Sequence, residues 1–105
     1  MKLYHVGKGI YPRYRDIVNG NESTSKELIR KKLTRNIHLA MKVDLDEELT
    51  LYMYGNLHIF VRGNRITWIK NKTNKHNWFY KDMKRYAELN EILGIKDDVS
   101  ISAAI

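Results

Sequence analysis

The stretch LTLYMYGNLHIFVRGNRITWIK, Leu49 to Lys70, decides the fold. Within it Leu49 to Tyr54, Leu57 to Arg62 and Arg65 to Lys70 are short runs rich in Leu, Ile, Val, Tyr, Phe and Trp. That composition suits half-buried strands of period two. Gly55-Asn56 and Gly63-Asn64 separate the runs. A glycine at the first central position fits a type II′ turn, whose twist matches an antiparallel hairpin, so the stretch predicts a three-stranded meander. Two-residue loops pair Tyr54 with Leu57 and Arg62 with Arg65, and paired residues share a face. One face is then expected to carry Tyr52, Tyr54, Leu57, Ile59, Val61, Ile66 and Trp68, and to pack on a helix. The other is expected to carry Met53, His58, Phe60, Arg62, Arg65 and Thr67, with Leu49, Leu51 and Ile69 toward its ends.

Upstream the period is helical. Ile29, Leu33, Ile37, Ala40 and Met41 make an apolar stripe at 3.6-residue spacing. Thr24 and Glu27 precede it as a capping box. Lys31, Arg35, His38 and Lys42 fall roughly 160° away on a helical wheel, either as a solvated face or as a row of phosphate contacts. Pro12 fits the first position of a short helix over Arg13 to Val18, closed by Gly20, and Lys2 to Val6 reads as a short strand broken by Gly7 and Gly9. Downstream lie a polar connection, Asn71 to Asn77, an aromatic cluster, Trp78-Phe79-Tyr80, and a helix over Lys81 to Leu93 ended by Gly94. Its apolar side is Tyr86, Leu89, Ile92 and Leu93. Val99 to Ile105 alternates weakly, as an edge strand or a frayed tail. The expected class is α+β: N-terminal helices packed on a three- to four-stranded antiparallel meander sheet, plus a C-terminal helix. Residues 1–105 form a single domain in this reading, with 95–105 a flexible tail or edge strand.

Composition narrows the function. A chain of 105 residues, 43% hydrophobic and 30% charged, fits one core. The absence of cysteine removes disulfides, thiolate metal sites and cysteine nucleophiles, and favours a reducing cytoplasm. The N-terminal residues lack a continuous apolar region, and no segment has the apolar length of a membrane span. A net charge of +7 favours polyanions through steering and counterion release. The charge is segregated. Ten Lys and Arg stand among residues 1–42, a second basic block runs from Arg62 to Arg85, and Asp44, Asp46, Glu47 and Glu48 lie between them.

Several chemistries have no motif here. His5, His38, His58 and His76 lack the spacing of metal ligands, and Gly7-Lys8-Gly9 lacks the pattern of a phosphate loop. No cofactor is expected. Arg13 and Arg15 stand among Tyr4, Tyr11 and Tyr14, a mixture that stacks bases and neutralises phosphates, or simply packs. Lys70, Lys72 and Lys75 extend the candidate backbone contacts, alongside Lys31, Arg35, His38 and Lys42. The sharper site is His58, Arg62, Arg65 and Thr67. Two arginines paired across a tight turn repel unless an anion lies near them, and His58 is suited to proton transfer near neutral pH. The plainer reading puts the arginines on a solvated hairpin end and His58 at the core margin.

A basic helix followed by Tyr54-Gly55-Asn56-Leu57-His58-Ile59-Phe60-Val61, a turn, and Arg65-Ile66-Thr67-Trp68-Ile69 resembles small phage and toxin-system domains related to the barnase, EndoU, colicin and RelE ribonucleases. The resemblance spans residues 13 to 70. It implies helices preceding an antiparallel sheet and metal-independent action on RNA, with Arg62 or Arg65 stabilising phosphate and Thr67 positioning it. Three expectations follow: a metal-independent ribonuclease, a non-catalytic binder of RNA or DNA with RNA preferred, or a phage-type modulator of a host or cognate protein.

Overall fold

The computed structural model describes residues 1–72 and 82–96. The elements run β1 (His5–Val6), α1 (Ile10–Ile17), α2 (Lys26–Leu39), β2 (Met41–Asp44), β3 (Leu49–Tyr54), β4 (Leu57–Arg62), β5 (Arg65–Asn71) and α3 (Met83–Leu93). The class is α+β. The meander forms with the expected pairing at both turns, Tyr54 opposite Leu57 and Arg62 opposite Arg65. Gly55 and Gly63 take φ of +58° and +64°, while Asn56 and Asn64 stay out of the positive-φ region, as type II′ turns require.

The sheet is larger than expected and mixed. Its order is β1-β5-β4-β3-β2, with β1 parallel to β5 and every other pair antiparallel. The residue that leads into β1 is tied to α2: Thr34 Oγ1 accepts from the Tyr4 amide, and Arg30 Nε donates to the Tyr4 carbonyl. β2 uses residues assigned to the helix by periodicity. Ala40 is the C-cap of α2 with extended backbone, so Met41 and Lys42 leave the helix for the strand.

A second correction lies inside β5. The ladder pairs Phe60 with Trp68 but Val61 with Ile66, leaving Thr67 as an extra residue. This bulge turns the following residues over. Ile69 therefore joins Ile59 on the buried face, and Trp68 joins Phe60 on the outer face. The core sits between the inner face and helices α1 and α2, built from Ile10, Tyr14, Ile29, Leu33, Ile37, Leu57, Ile59, Val61, Ile66 and Ile69.

Helix boundaries also shift. α1 begins at Ile10, two residues before Pro12. α2 is capped by Ser25, whose hydroxyl accepts from the Leu28 amide, one residue beyond the Thr24 box. α3 begins at Met83 with Asp82 as its cap and ends as expected at Gly94, in the left-handed region at φ +73°. Its buried side is Tyr86, Leu89, Asn90 and Leu93, whereas Ile92 faces outward. The aromatic cluster at residues 78–80 and the alternating tail from Val99 lie outside the described residues. No helix among the described residues is long and apolar enough to cross a membrane.

Candidate nucleic-acid interface

Alternation along the ladder assigns Met41, Val43, Leu49, Leu51, Met53, His58, Phe60, Trp68 and Lys70 to the sheet's outer face. The helices lie elsewhere: α1 and α2 pack on the inner face, and α3 packs against α2. Phe60 and Trp68 stand directly opposite each other across β4 and β5. Trp68 is 44% exposed, large for an indole in a sheet.

Each ring carries a cation. The Arg13 guanidinium lies 4.1 Å from the Trp68 ring centroid, and the Lys70 ammonium 6.0 Å from that of Phe60. Arg13 is held there from α1 because its Nε donates to the Ile69 carbonyl at 2.6 Å. β1 covers β5 only at Arg65 and Ile66, so Arg13 caps a carbonyl on the strand's open side. Asn71 helps to fix the same end of β5, its side-chain amide donating to the Ile17 carbonyl at 2.7 Å.

His58 sits beside Phe60 on β4, opposite Lys70 on β5, and is 9% exposed. Burial first, and then the positive charges of Lys72 and Lys70, push its pKa below the ordinary imidazole value. The neutral ring keeps one nitrogen as an acceptor.

The His58, Arg62, Arg65, Thr67 group does not converge. Four residue steps of extended strand, about 13 Å, separate His58 from Arg62, and the Arg62 guanidinium is turned toward the acidic loop. Arg62 already has an anion, Glu48 Oε2 at 2.7 Å. The cross-turn repulsion is thus relieved from the β2–β3 loop. Thr67, the bulge residue, donates its hydroxyl to the Phe60 carbonyl at 3.3 Å. Arg65 is exposed and paired in register with His5 of β1.

The helical basic row is also dispersed. Arg35 is only 4% exposed, hydrogen-bonded to Asn36 and Asn90 and stacked on Tyr86 at 4.5 Å. Lys31 pairs with Glu27 one turn earlier at 3.5 Å, and Arg15 donates to the Thr24 carbonyl. Lys42 lies in β2 near Asp44. His38 lines a cavity of about 310 Å³ with Lys2, Leu3, Tyr4 and Asn64. Partial burial and nearby Arg85 hold its pKa low. Of the predicted nucleic-acid contacts, Arg13, Lys70 and Lys72 come together around the outer face, and Lys75 lies outside the described residues. Sequence reasoning missed Phe60 and Trp68 as a pair. The signal was available in Ile66 and Ile69, two aliphatic residues three apart in a strand, which a regular alternation cannot bury together.

Residues 4–92 match the family model described as YorE. No curated protein and no solved structure matches the chain. Among the described residues no cluster of His, Asp and Glu is placed to hold a metal.

Proposed function

We propose that this chain, which belongs to the YorE family, is a non-catalytic binder of single-stranded nucleic acid that uses the outer face of its sheet. The observation that carries the reading is the cross-strand pair Phe60 and Trp68, flanked by Lys70 and Arg13. Aromatic rings on a sheet stack unpaired bases, and adjacent cations follow the phosphates. A duplex hides its base faces and gives such a surface little to hold. A neutral His58 beside the rings can accept from a ribose 2′-hydroxyl, the group that separates RNA from DNA, so RNA is preferred. The net charge of +7 supports the same choice through steering and counterion release.

Anisotropy titration with a labelled single-stranded oligoribonucleotide, in EDTA, tests the reading. Phe60→Ala and Trp68→Ala should each weaken binding roughly 5- to 150-fold, the range of one base-stacking contact. Duplex RNA should bind more weakly than the single strand. Cutting of the RNA would restore the ribonuclease reading, with His58 its first candidate for proton transfer. Absence of any salt-sensitive binding would instead favour the protein-modulator reading of this apolar face.

A further inference from the structure

At the far edge of the sheet β2 presents Met41-Lys42-Val43-Asp44, followed by Leu45. Among the described residues no strand pairs with its outer side. The Leu45 amide donates to the Leu49 carbonyl at 2.9 Å, continuing the β2–β3 register by one step. Antiparallel alternation then turns the backbone groups of Met41, Val43 and Leu45 toward β3 and those of Lys42 and Asp44 toward the open edge. Met41 and Leu45 are 65% and 48% exposed, unusual for apolar side chains at a sheet edge.

This pentapeptide is complementary to itself. Laid antiparallel about Val43, it sets Lys42 opposite Asp44 twice, Met41 opposite Leu45 twice, and Val43 opposite its own copy. The two Lys42–Asp44 pairs are also the ones whose amides and carbonyls face the edge, so the register that matches charge is the one that makes the hydrogen bonds. The charged pairs fall on the helix side of the sheet and the apolar ones on its outer side, because Lys42 and Asp44 share a face with Tyr52 and Thr50. Lys42 and Asp44 lie 3.9 Å apart within one chain and Asp44 also accepts from Thr50 Oγ1 at 3.3 Å, long exposed contacts that an exchange of partners across a seam replaces.

We propose that the protein forms a two-fold symmetric dimer through β2, joining two sheets edge to edge into one of ten strands. The symmetry is closed, since the same patch meets itself. The axis is perpendicular to the sheet, so both Phe60–Trp68 pairs face the same side. The proposal rests on the edge alone and stands or falls independently of nucleic-acid binding.

Sedimentation velocity across a concentration series, without nucleic acid, gives the test. The wild-type chain should sediment as a dimer that dissociates on dilution. Lys42→Glu opposes acidic side chains across the seam, and Asp44→Lys opposes basic ones, so each variant alone should be monomeric. An equimolar mixture of the two should dimerise again. In the mixed pair the new carboxylate at position 42 of one chain meets the new ammonium at position 44 of the other, and the native Asp44 meets the native Lys42 at the second contact. Recovery on mixing excludes misfolding as the reason for monomers. A wild-type monomer at the highest concentration, or variants that dimerise alone as well as mixed, would overturn the proposal.

Discussion

The indole of Trp68 lies on the outer face because Thr67 has no partner across the ladder. Without that extra residue Trp68 would point into the core and Ile69 outward, the arrangement strict alternation predicts. A strict period-two count runs past the bulge, which only the Ile66–Ile69 spacing marks, whereas the turns on either side of β4 are plain because only glycine adopts their backbone cheaply. Gly63 holds φ at +64° with open space where a Cβ would stand, so Gly63→Val should cost about 1 to 3 kcal/mol through backbone strain alone. A urea midpoint equal to wild type would contradict that turn geometry. At His58 the folded-state pKa is depressed, mainly by burial and further by Lys72 and Lys70. The unfolded chain therefore binds more protons below its own imidazole value near 6.5. Stability should be level above that pH and fall as pH drops through it toward the folded value. His58→Gln should flatten the decline in urea midpoint between pH 7.5 and 5.5, with the slope that His38 contributes remaining. An imidazole titration midpoint at or above 6.5 in the free protein would remove the electrostatic account of this site.

Among the elements, α2 shows how far a helical wheel reaches. Its stripe of Ile29, Leu33 and Ile37 was legible and packs on the sheet. The opposite side reads as exposed, to solvent or to phosphate, because a wheel considers one partner, and α3 is a second. Arg35 and its partner Asn36 are buried in consequence, whereas Lys32 and Thr34 are buried elsewhere, against Asn21 and the Tyr4 amide. Arg35 then joins the helices through Asn90 and Tyr86 instead of meeting phosphate. Arg35→Ala should lower stability by more than about 2 kcal/mol, since it removes charged hydrogen bonds in a buried site. A chemical-denaturation curve matching wild type would return Arg35 to the surface. β2 went unread for a related reason. Ala40 and Met41 continue the helical spacing, and only the extended backbone at Ala40 ends it. β1 has two residues and pairs across sixty positions of sequence, a contact no local pattern announces.

For the molecule as a whole, the helices cover one side of the sheet, and the other carries two facing aromatic rings among cations. The charge segregation seen in sequence maps onto this arrangement only in part. Arg13, Lys70 and Lys72 reach the outer face, while Arg62 is answered by Glu48 from the acidic loop. Changing Lys70 and Lys72 together to Gln should reduce the slope of log affinity against log salt by roughly one to one and a half units. Lys31→Gln with Lys84→Gln, on α2 and α3, should leave that slope unchanged. The most direct test of the central claim is a two-dimensional amide NMR titration with a short single-stranded oligoribonucleotide at low salt. Shifts should concentrate on β4 and β5 around Phe60, Trp68 and Lys70, on Arg13, and on the Trp68 indole. Shifts gathered instead on α2 and α3, or absent at saturating RNA, would contradict it.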